Sequence, residues 1–212
     1  MKYVLYLFFF LSLSVNAQKN YVIKYKGHSA KASTYNNPAK NNFSQNIKNL
    51  ASRITKGKYE EAEKAKAIYL WIAQNIGYDH ELRFNKQLQK DYYTSKEKII
   101  LKVLQNKKAL CGGYAFLFET LCQQVGVEAK TIHGFTKLSP SLRQPNHSWN
   151  AVKVNGQWQL LDITWSVSNG SQNGPDKYWY FTNPEIFIRS HYPQEKKWAL
   201  IDNPPSLIEF VS

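Results

Sequence analysis

The sequence predicts an α+β domain in which an antiparallel β-sheet follows a set of helices. Apolar residues recur at helical spacing from residue 43 to residue 126, and after residue 126 the period changes to two. Asn155-Gly156 separates two of the later apolar stretches. An Asn-Gly pair in this position is typical of a two-residue hairpin turn, which joins antiparallel strands. Because the helices come first and the strands second, the pattern favours α+β over an alternating α/β fold.

Four helices are expected in the first half of the domain. The second has an acidic first turn, and the third opens with Thr94-x-x-Glu97, a capping-box pattern. The first, second and fourth are followed by glycines, which commonly end helices. In chain order they cover Phe43 to Ile54, Glu60 to Ile76, Thr94 to Leu104, and Cys111 to Val125.

Four strands are expected in the second half, and the hairpin turn predicts their pairing. They cover Val127 to Phe135, Trp149 to Val154, Trp158 to Trp165, and Tyr178 to Phe181. If Val154 pairs with Gln157 across the turn, the ladder sets three further pairs: Asn150 opposite Leu161, Trp149 opposite Asp162, and His147 opposite Thr164. Paired residues share a face of the sheet, and so do residues two apart on one strand. Asp162 lies two residues before Thr164, so it is expected on the face that carries His147, as its diagonal neighbour.

The composition excludes several classes of protein. Of 212 residues, 43% are hydrophobic and 15% aromatic, which is unlike collagen, coiled coils or low-complexity disordered chains. Two cysteines are too few for a disulfide scaffold, and neither C-x-x-C nor H-E-x-x-H occurs. No metal and no other cofactor is therefore expected.

The net charge of +13 is spread along the chain from Lys19 to Lys197 and forms no basic run. Nucleic-acid binders of this basicity usually concentrate Lys and Arg on one face, so nucleic acid is disfavoured as a partner. A generally basic surface suits an anionic envelope surface, an anionic polymer or an acidic protein substrate, and the sequence does not separate these three.

Residues 1–17 have the organisation of a signal peptide. Lys2 precedes an apolar stretch from Val4 to Leu13, and Val15 and Ala17 suit cleavage before Gln18. The apolar stretch is shorter than the roughly 20 residues of a spanning helix, and no other stretch approaches that length. We therefore expect a secreted or periplasmic protein without a membrane span after cleavage, an N-terminal extension over residues 18–42, and one domain over residues 43–212.

Cys111 is the candidate nucleophile. It stands where a helix begins and is followed by two glycines, so its sulfur is exposed to the helix dipole and to unpaired backbone N–H groups, which lower the pKa of a thiol. The Cys111 N–H could also help to bind an oxyanion. A nucleophilic cysteine needs a base that is held by a third group. His147 and Asp162 are the candidates for these two roles.

Four motifs in order carry a resemblance to a known family. They are Ala67-Ile68-Tyr69-Leu70-Trp71-Ile72-x-x-Asn75-Ile76-x-Tyr78-Asp79, Ala109-Leu110-Cys111-Gly112-Gly113-Tyr114-Ala115, Asn146-His147-Ser148-Trp149-Asn150-Ala151-Val152, and Trp158-x-Leu160-Leu161-Asp162-x-Thr164-Trp165. The sequence resembles the transglutaminase-like superfamily over about residues 45 to 200. Its tail, from Asn183-Pro184-Glu185 to Trp198, resembles the branch that includes the kyphoscoliosis-type peptidases.

The resemblance implies a papain-like α+β fold, with Cys111 as nucleophile, His147 as base and Asp162 orienting the imidazole. It also implies a second oxyanion donor upstream of the cysteine, for which Tyr78 and Trp71 are candidates. Trp149 and His191 are further candidates for the cleft, and each has an alternative role in the core. Cys122 is expected to be a buried, inert thiol.

The sequence thus predicts a thiol enzyme that transfers acyl groups from protein or peptide amides through a Cys111 thioester. Peptidase, transglutaminase and deamidase chemistry share these residues. Hydrolysis is slightly favoured, because water is the default acceptor for an exported protein. The alternative is a non-catalytic module that uses the same fold to hold a peptide or an envelope polymer.

Overall fold

The computed structural model describes residues 38–137 and 144–212. The predicted signal peptide and all but the last residues of the predicted extension lie outside this part. The helices are α1 Pro38–Ile54, α2 Glu61–Asn75, α3 His80–Phe84, α4 Lys86–Tyr92, α5 Lys96–Asn106, α6 Cys111–Gln124, α7 Ile163–Ser168, α8 Pro184–Phe187 and α9 Leu207–Val211. The strands are β1 Gly77–Tyr78, β2 Lys108–Ala109, β3 Ala129–Thr136, β4 His147–Val154, β5 Gln157–Leu161, β6 Tyr180–Thr182 and β7 His191–Pro193.

Five strands form an antiparallel sheet in the order β6-β5-β4-β3-β7, and α6 packs across β3 and β4. Helices α1, α2 and α5 cover the other sides of α6, which is why its middle is completely buried at Leu117, Phe118, Leu121 and Cys122. The α+β class predicted from the sequence is confirmed. Among the described residues, none of the helices combines the length and the apolar character that crossing a membrane requires.

The hairpin register is confirmed along β4 and β5 and fails at the end of β5. Val154 pairs with Gln157 and Asn150 with Leu161, as the Asn155-Gly156 turn predicts. The ladder stops at Leu161, so the predicted strand from Trp158 to Trp165 is too long.

The pairs of Trp149 with Asp162 and of His147 with Thr164 were wrong. Asp162 is instead the N-cap of α7, and its carboxylate accepts the backbone N–H of Trp165 at 3.0 Å. This local bond begins a helix in a segment that alternation alone assigns to a strand.

The start of α5 and the segment before it also differ from the prediction. Helix α5 is capped by Ser95, whose hydroxyl accepts the Lys98 N–H at 3.1 Å, and the predicted capping box at Thr94 was wrong by one residue. Helices α3 and α4 were not predicted. They have five and seven residues, which is too short for a helical period to be recognised.

Gly113 allows α6 to lie close to the elements before it. A Cβ at this position would lie 2.9 Å from Val103 Cγ2 and 3.1 Å from the Ala109 Cβ, which is closer than such atoms normally approach. The second glycine of the Cys111-Gly112-Gly113 motif therefore serves helix packing, and this packing fixes the position of the residue at the helix start.

Among the glycines that the structure describes, Gly134 is the one at which a side chain is expected to cost the most stability. A Cβ there would overlap Tyr192 O and the Trp149 ring and would lie 2.9 Å from Pro193 Cα. Because two of these neighbours are backbone atoms, Gly134→Ala should lower the free energy of unfolding by about 1–3 kcal/mol or more in urea titrations. Gly77→Ala is the matched control, since its Cβ would meet only Lys107 O at 3.8 Å. Equal effects of the two substitutions would contradict the expectation.

Candidate active site

Cys111 is the first residue of α6 and is partly exposed. The first N–H of the helix that bonds back is that of Gly113, which donates to Leu110 O at 2.8 Å. The N–H groups of Cys111 and Gly112 precede this bond and therefore belong to the open end of the helix. The side chain of His147 and the backbone N–H of Ser148 both lie close enough to the Cys111 sulfur to lower the pKa of its thiol.

His147 begins β4, and its ring connects the sulfur to a buried carboxylate. Nε2 lies 2.6 Å from Asp162 Oδ2, which leaves Nδ1 for the thiol of Cys111. Only 9% of the His147 surface is exposed. The structure therefore brings together the three residues that the sequence singled out, in the order Cys111, His147, Asp162.

Asp162 is completely buried and makes three hydrogen bonds through its two oxygens. Oδ1 accepts the Trp165 N–H, and Oδ2 accepts from His147 and, at 3.0 Å, from His191 Nε2. Burial alone raises the pKa of this carboxyl. The charge of His147 and the hydrogen bonds of both imidazoles outweigh burial, so the pKa of Asp162 is well below its usual range and the group is ionised.

The electrostatics of Cys111 and His147 favour a thiolate and an imidazolium. Burial alone raises the pKa of the thiol and lowers that of the imidazole. Their mutual hydrogen bond and opposite charges act against burial, and Asp162 adds to the effect on His147. The net result is a lowered pKa for Cys111 and a pKa of His147 raised to about 10. Such a pair is reactive between these two pKa values, because the sulfur is charged there without a separate base.

Cys122 has the opposite environment and serves as an internal control. It is fully buried three turns along α6, and burial raises the pKa of its thiol. We expect iodoacetamide to label Cys111 alone in the native protein at about pH 6, where an ordinary thiol of pKa about 8.5 hardly reacts. Peptide mass spectrometry locates the label, and denaturation should expose Cys122. Equal native labelling of the two thiols would count against an activated Cys111.

The structure gives the weaker candidates different positions. Tyr78 lies in β1, paired with Ala109 of β2, and its hydroxyl is close enough to Cys111 for a thiolate there to raise its pKa, in addition to the larger effect of burial. Trp71 lies on α2, where its ring is 5.8 Å from Lys107 Nζ.

Trp149 is 1% exposed and belongs to the apolar cluster on the sheet face opposite α6. The centroid of its ring lies 6.1 Å from that of His147, and the two rings are stacked. Asn150 of β4 points to the other face of the sheet. Its amide donates to Ala115 O and Lys130 O, and the β3–β4 and β4–β5 pairing is regular at this residue.

His191 lies in the buried group around Asp162, together with His147. The sequence named it only as a candidate for the cleft, on the resemblance of its motif. Its Nε2 bonds Asp162, its Nδ1 lies 2.8 Å from Ser190 Oγ, and its side chain is 0% exposed. Trp165 packs against both imidazoles, at 5.8 Å from the His147 ring and 4.3 Å from the His191 ring. The Ser148 N–H and the Ser190 hydroxyl were not predicted, because backbone and short polar partners leave no pattern in one sequence.

One atom each from His147, Asp162 and His191 could in principle hold a metal, since these atoms lie within 4.8 Å of one another. The two Nε2–Oδ2 distances of 2.6 and 3.0 Å are those of hydrogen bonds. Two ligands of a tetrahedral metal at 2.0–2.1 Å would be about 3.3 Å apart. The arrangement fits proton-mediated contacts better than metal coordination.

Comparison with known proteins identifies the family of the chain. Residues 48–163, more than half of the chain, match the family model of the transglutaminase-like superfamily. The chain is 31% identical over 176 residues to kyphoscoliosis peptidase of Mus musculus, covering 77% of this chain and 26% of that protein. It is 26% identical over 192 residues to hillarin of Drosophila melanogaster, covering 79% and 22%.

A solved structure described as a TGase is also similar, with 19% identity, a TM-score of 0.46, and coverage of 72% of this chain and 38% of that one. The chain spans about a quarter of the length of the two curated relatives named above. With the family model matching more than half of its residues, the chain belongs to the transglutaminase-like superfamily.

Proposed function

We propose that the protein is an exported cysteine enzyme that transfers acyl groups from protein or peptide amides through a thioester on Cys111. The observation that carries the proposal is the arrangement in which His147 acts on the thiol of the partly exposed Cys111 and is itself hydrogen-bonded to the ionised Asp162. This arrangement supplies the three groups that nucleophilic amide chemistry requires: a thiolate, a proton donor and a residue that orients the donor.

The reaction begins when the Cys111 thiolate attacks the carbonyl carbon of an amide. The carbonyl oxygen becomes an oxyanion, for which the Cys111 N–H at the helix start and the Tyr78 hydroxyl are the proposed donors. His147 then transfers its proton to the nitrogen of the leaving amine, the C–N bond breaks, and a thioester remains on Cys111.

The second half resolves the thioester. An incoming water or amine loses a proton to His147 and attacks the acyl carbon, and the C–S bond breaks to restore the thiolate. With water the product is a carboxylic acid, and with a lysine amine it is an isopeptide bond. We favour water, in agreement with the name of the mouse relative, which is called a peptidase. The high net positive charge favours acidic protein substrates or substrates at an anionic envelope surface.

The three outcomes are distinguished by mass spectrometry of a protein mixture that is incubated with the enzyme and a primary-amine probe. Peptidase activity produces new termini, deamidation adds about one mass unit to glutamine, and transglutamination attaches the probe. The control is Cys111→Ala, and Cys122→Ala is the matched variant that should keep activity. Identical peptide profiles for the wild type and Cys111→Ala would overturn the proposal and favour a binding module, for which pull-down of peptides by both proteins is the readout.

Export is tested separately, by intact-mass analysis of the protein recovered outside the cytoplasm. The expected mature chain begins at Gln18, which can cyclise to pyroglutamate. Recovery of a membrane-bound form that retains residues 1–17 would contradict cleavage.

A further inference from the structure

One carboxylate oxygen of Asp162 accepts hydrogen bonds from two imidazoles. His147 Nε2 lies 2.6 Å from Oδ2 and His191 Nε2 lies 3.0 Å from the same atom. The proposed reaction uses only His147, because His147 and not His191 is among the groups that affect the Cys111 thiol. A second fully buried histidine on the same oxygen therefore needs an explanation of its own.

The hydrogen bonds of His191 determine its tautomer. Asp162 is ionised and can only accept, so His191 Nε2 must carry a hydrogen. Burial lowers the pKa of His191 to about 4, against the opposing effect of Asp162, and the ring is neutral at pH 7. Nδ1 then has a lone pair, which accepts the hydroxyl hydrogen of Ser190 at 2.8 Å. Both ring nitrogens are occupied, and neither is available to act as a base.

Packing prevents the ring from leaving this position. His191 stacks on Phe187 at 4.1 Å between ring centroids and lies 4.3 Å from Trp165, 5.2 Å from Trp149 and 5.4 Å from Trp179. Its backbone belongs to β7 and pairs with Thr136 of β3. The ionisable groups that affect this ring are Asp162 and His147. The N–H of His191 is thus held rigidly toward Asp162.

We propose that His191 is a positioning residue, which donates its Nε2–H to Asp162 and holds that carboxylate where it orients His147. This inference rests on the proposed function. The Trp165 N–H fixes Oδ1 of Asp162. Without His191, Oδ2 is held by His147 alone, the ring that must gain and lose a proton in each cycle. With His191 present, Oδ2 keeps one donor that does not take part in the reaction.

Three substitutions separate this role from packing. His191→Phe keeps an aromatic ring in the aromatic surroundings and removes the donor. His191→Gln carries an amide N–H at about the position of Nε2, and His191→Asn carries the same amide one methylene shorter, near Ser190. From the usual strength of a hydrogen bond to a charged group, we expect His191→Phe and His191→Asn to lower kcat by about 10- to 100-fold with KM unchanged. His191→Gln should lower kcat much less.

Thermal unfolding of the same variants separates a positioning role from a purely structural one. If His191 only stabilises the fold, the activity of each variant should follow its thermal stability. His191→Phe should be at least as stable as His191→Gln, because the pocket is apolar and aromatic. In the expected order of activity His191→Gln lies above His191→Phe, which is opposite to the expected order of stability. If His191→Phe fails to fold, the comparison of His191→Gln with His191→Asn decides, since both carry an amide. Activity that follows stability across the variants, or equal kcat in His191→Gln and His191→Asn, would overturn the inference.

A measurement without substrate distinguishes failure of this inference from failure of the proposed function. Iodoacetamide alkylation of Cys111 between pH 5 and 9 reports its thiolate, which is influenced by His147, Asp162 and Tyr78. His191→Phe and His191→Asn should shift this pH profile of alkylation toward that of an ordinary thiol, and His191→Gln should not. A wild-type profile that already matches an ordinary thiol would overturn both proposals. If the wild-type thiol is activated and His191→Phe and His191→Asn leave the profile unchanged, only the role of His191 is overturned.

Discussion

A Cys111→Ala variant should fold like the wild type and lose turnover by on the order of 10⁵- to 10⁶-fold. The substitution removes one sulfur atom from a partly exposed position, so little packing is lost. It also removes the sulfur on which the thioester would form, and His147, Asp162 and His191 carry no sulfur that could replace it. The expected size follows the losses seen when nucleophiles of comparable catalytic groups are removed.

The control for this prediction is non-additivity. His147→Ala should cost about as much as Cys111→Ala, and the double variant little more, because the two residues act as one unit. Cys122→Ala should retain turnover while losing some stability, since its side chain is fully buried. Losses that multiply in the double variant would show that Cys111 and His147 act independently, which contradicts the proposed mechanism.

The sequence predicted which side chains lie together better than it predicted the elements that carry them. Cys111 at a helix start and the Asn155-Gly156 turn are local signals, and each was confirmed as structure at its own position. Asp162 lies beside His147 as expected, but a different element places it there. The register argument placed Asp162 inside a strand, whereas it follows the strand as a helix cap and reaches His147 from there.

The features that could not be predicted depend on contacts between distant residues. His191 meets Asp162 from a strand of three residues, 29 positions further along the chain, and such a strand has no period to recognise. Its pairing with β3 is set by tertiary packing, in which Gly134 makes room for the Trp149 ring and for the backbone of β7. The role of His191 therefore became visible only when the donors to each oxygen of Asp162 were known.

An Asp162→Asn variant should keep the fold and lose on the order of 10⁴-fold in turnover, as expected for a neutral amide behind a catalytic histidine. Asn is an effective N-cap, so its Oδ1 can still accept the Trp165 N–H and hold α7. The amide nitrogen then faces Nε2 of both imidazoles. To accept from it, His147 must carry its hydrogen on Nδ1, the nitrogen that faces Cys111, and in this tautomer it cannot take a proton from the thiol or from water.

The same substitution should raise the pKa of the Cys111 thiol. Without the charge of Asp162, burial lowers the pKa of His147, and the thiolate loses its imidazolium partner. This loss outweighs the removal of the Asp162 charge, which in the wild type has a smaller effect that raises the pKa of the thiol. Iodoacetamide labelling at pH 6 should therefore slow in parallel with turnover. Asp162→Ala should show the same chemistry and in addition lose about 1 kcal/mol or more of unfolding free energy, because α7 loses its cap. If Asp162→Asn kept turnover within tenfold of the wild type, the third role would belong to another residue. Asn150 could not supply it, since its amide is bonded to Ala115 O and Lys130 O on the opposite face of β4.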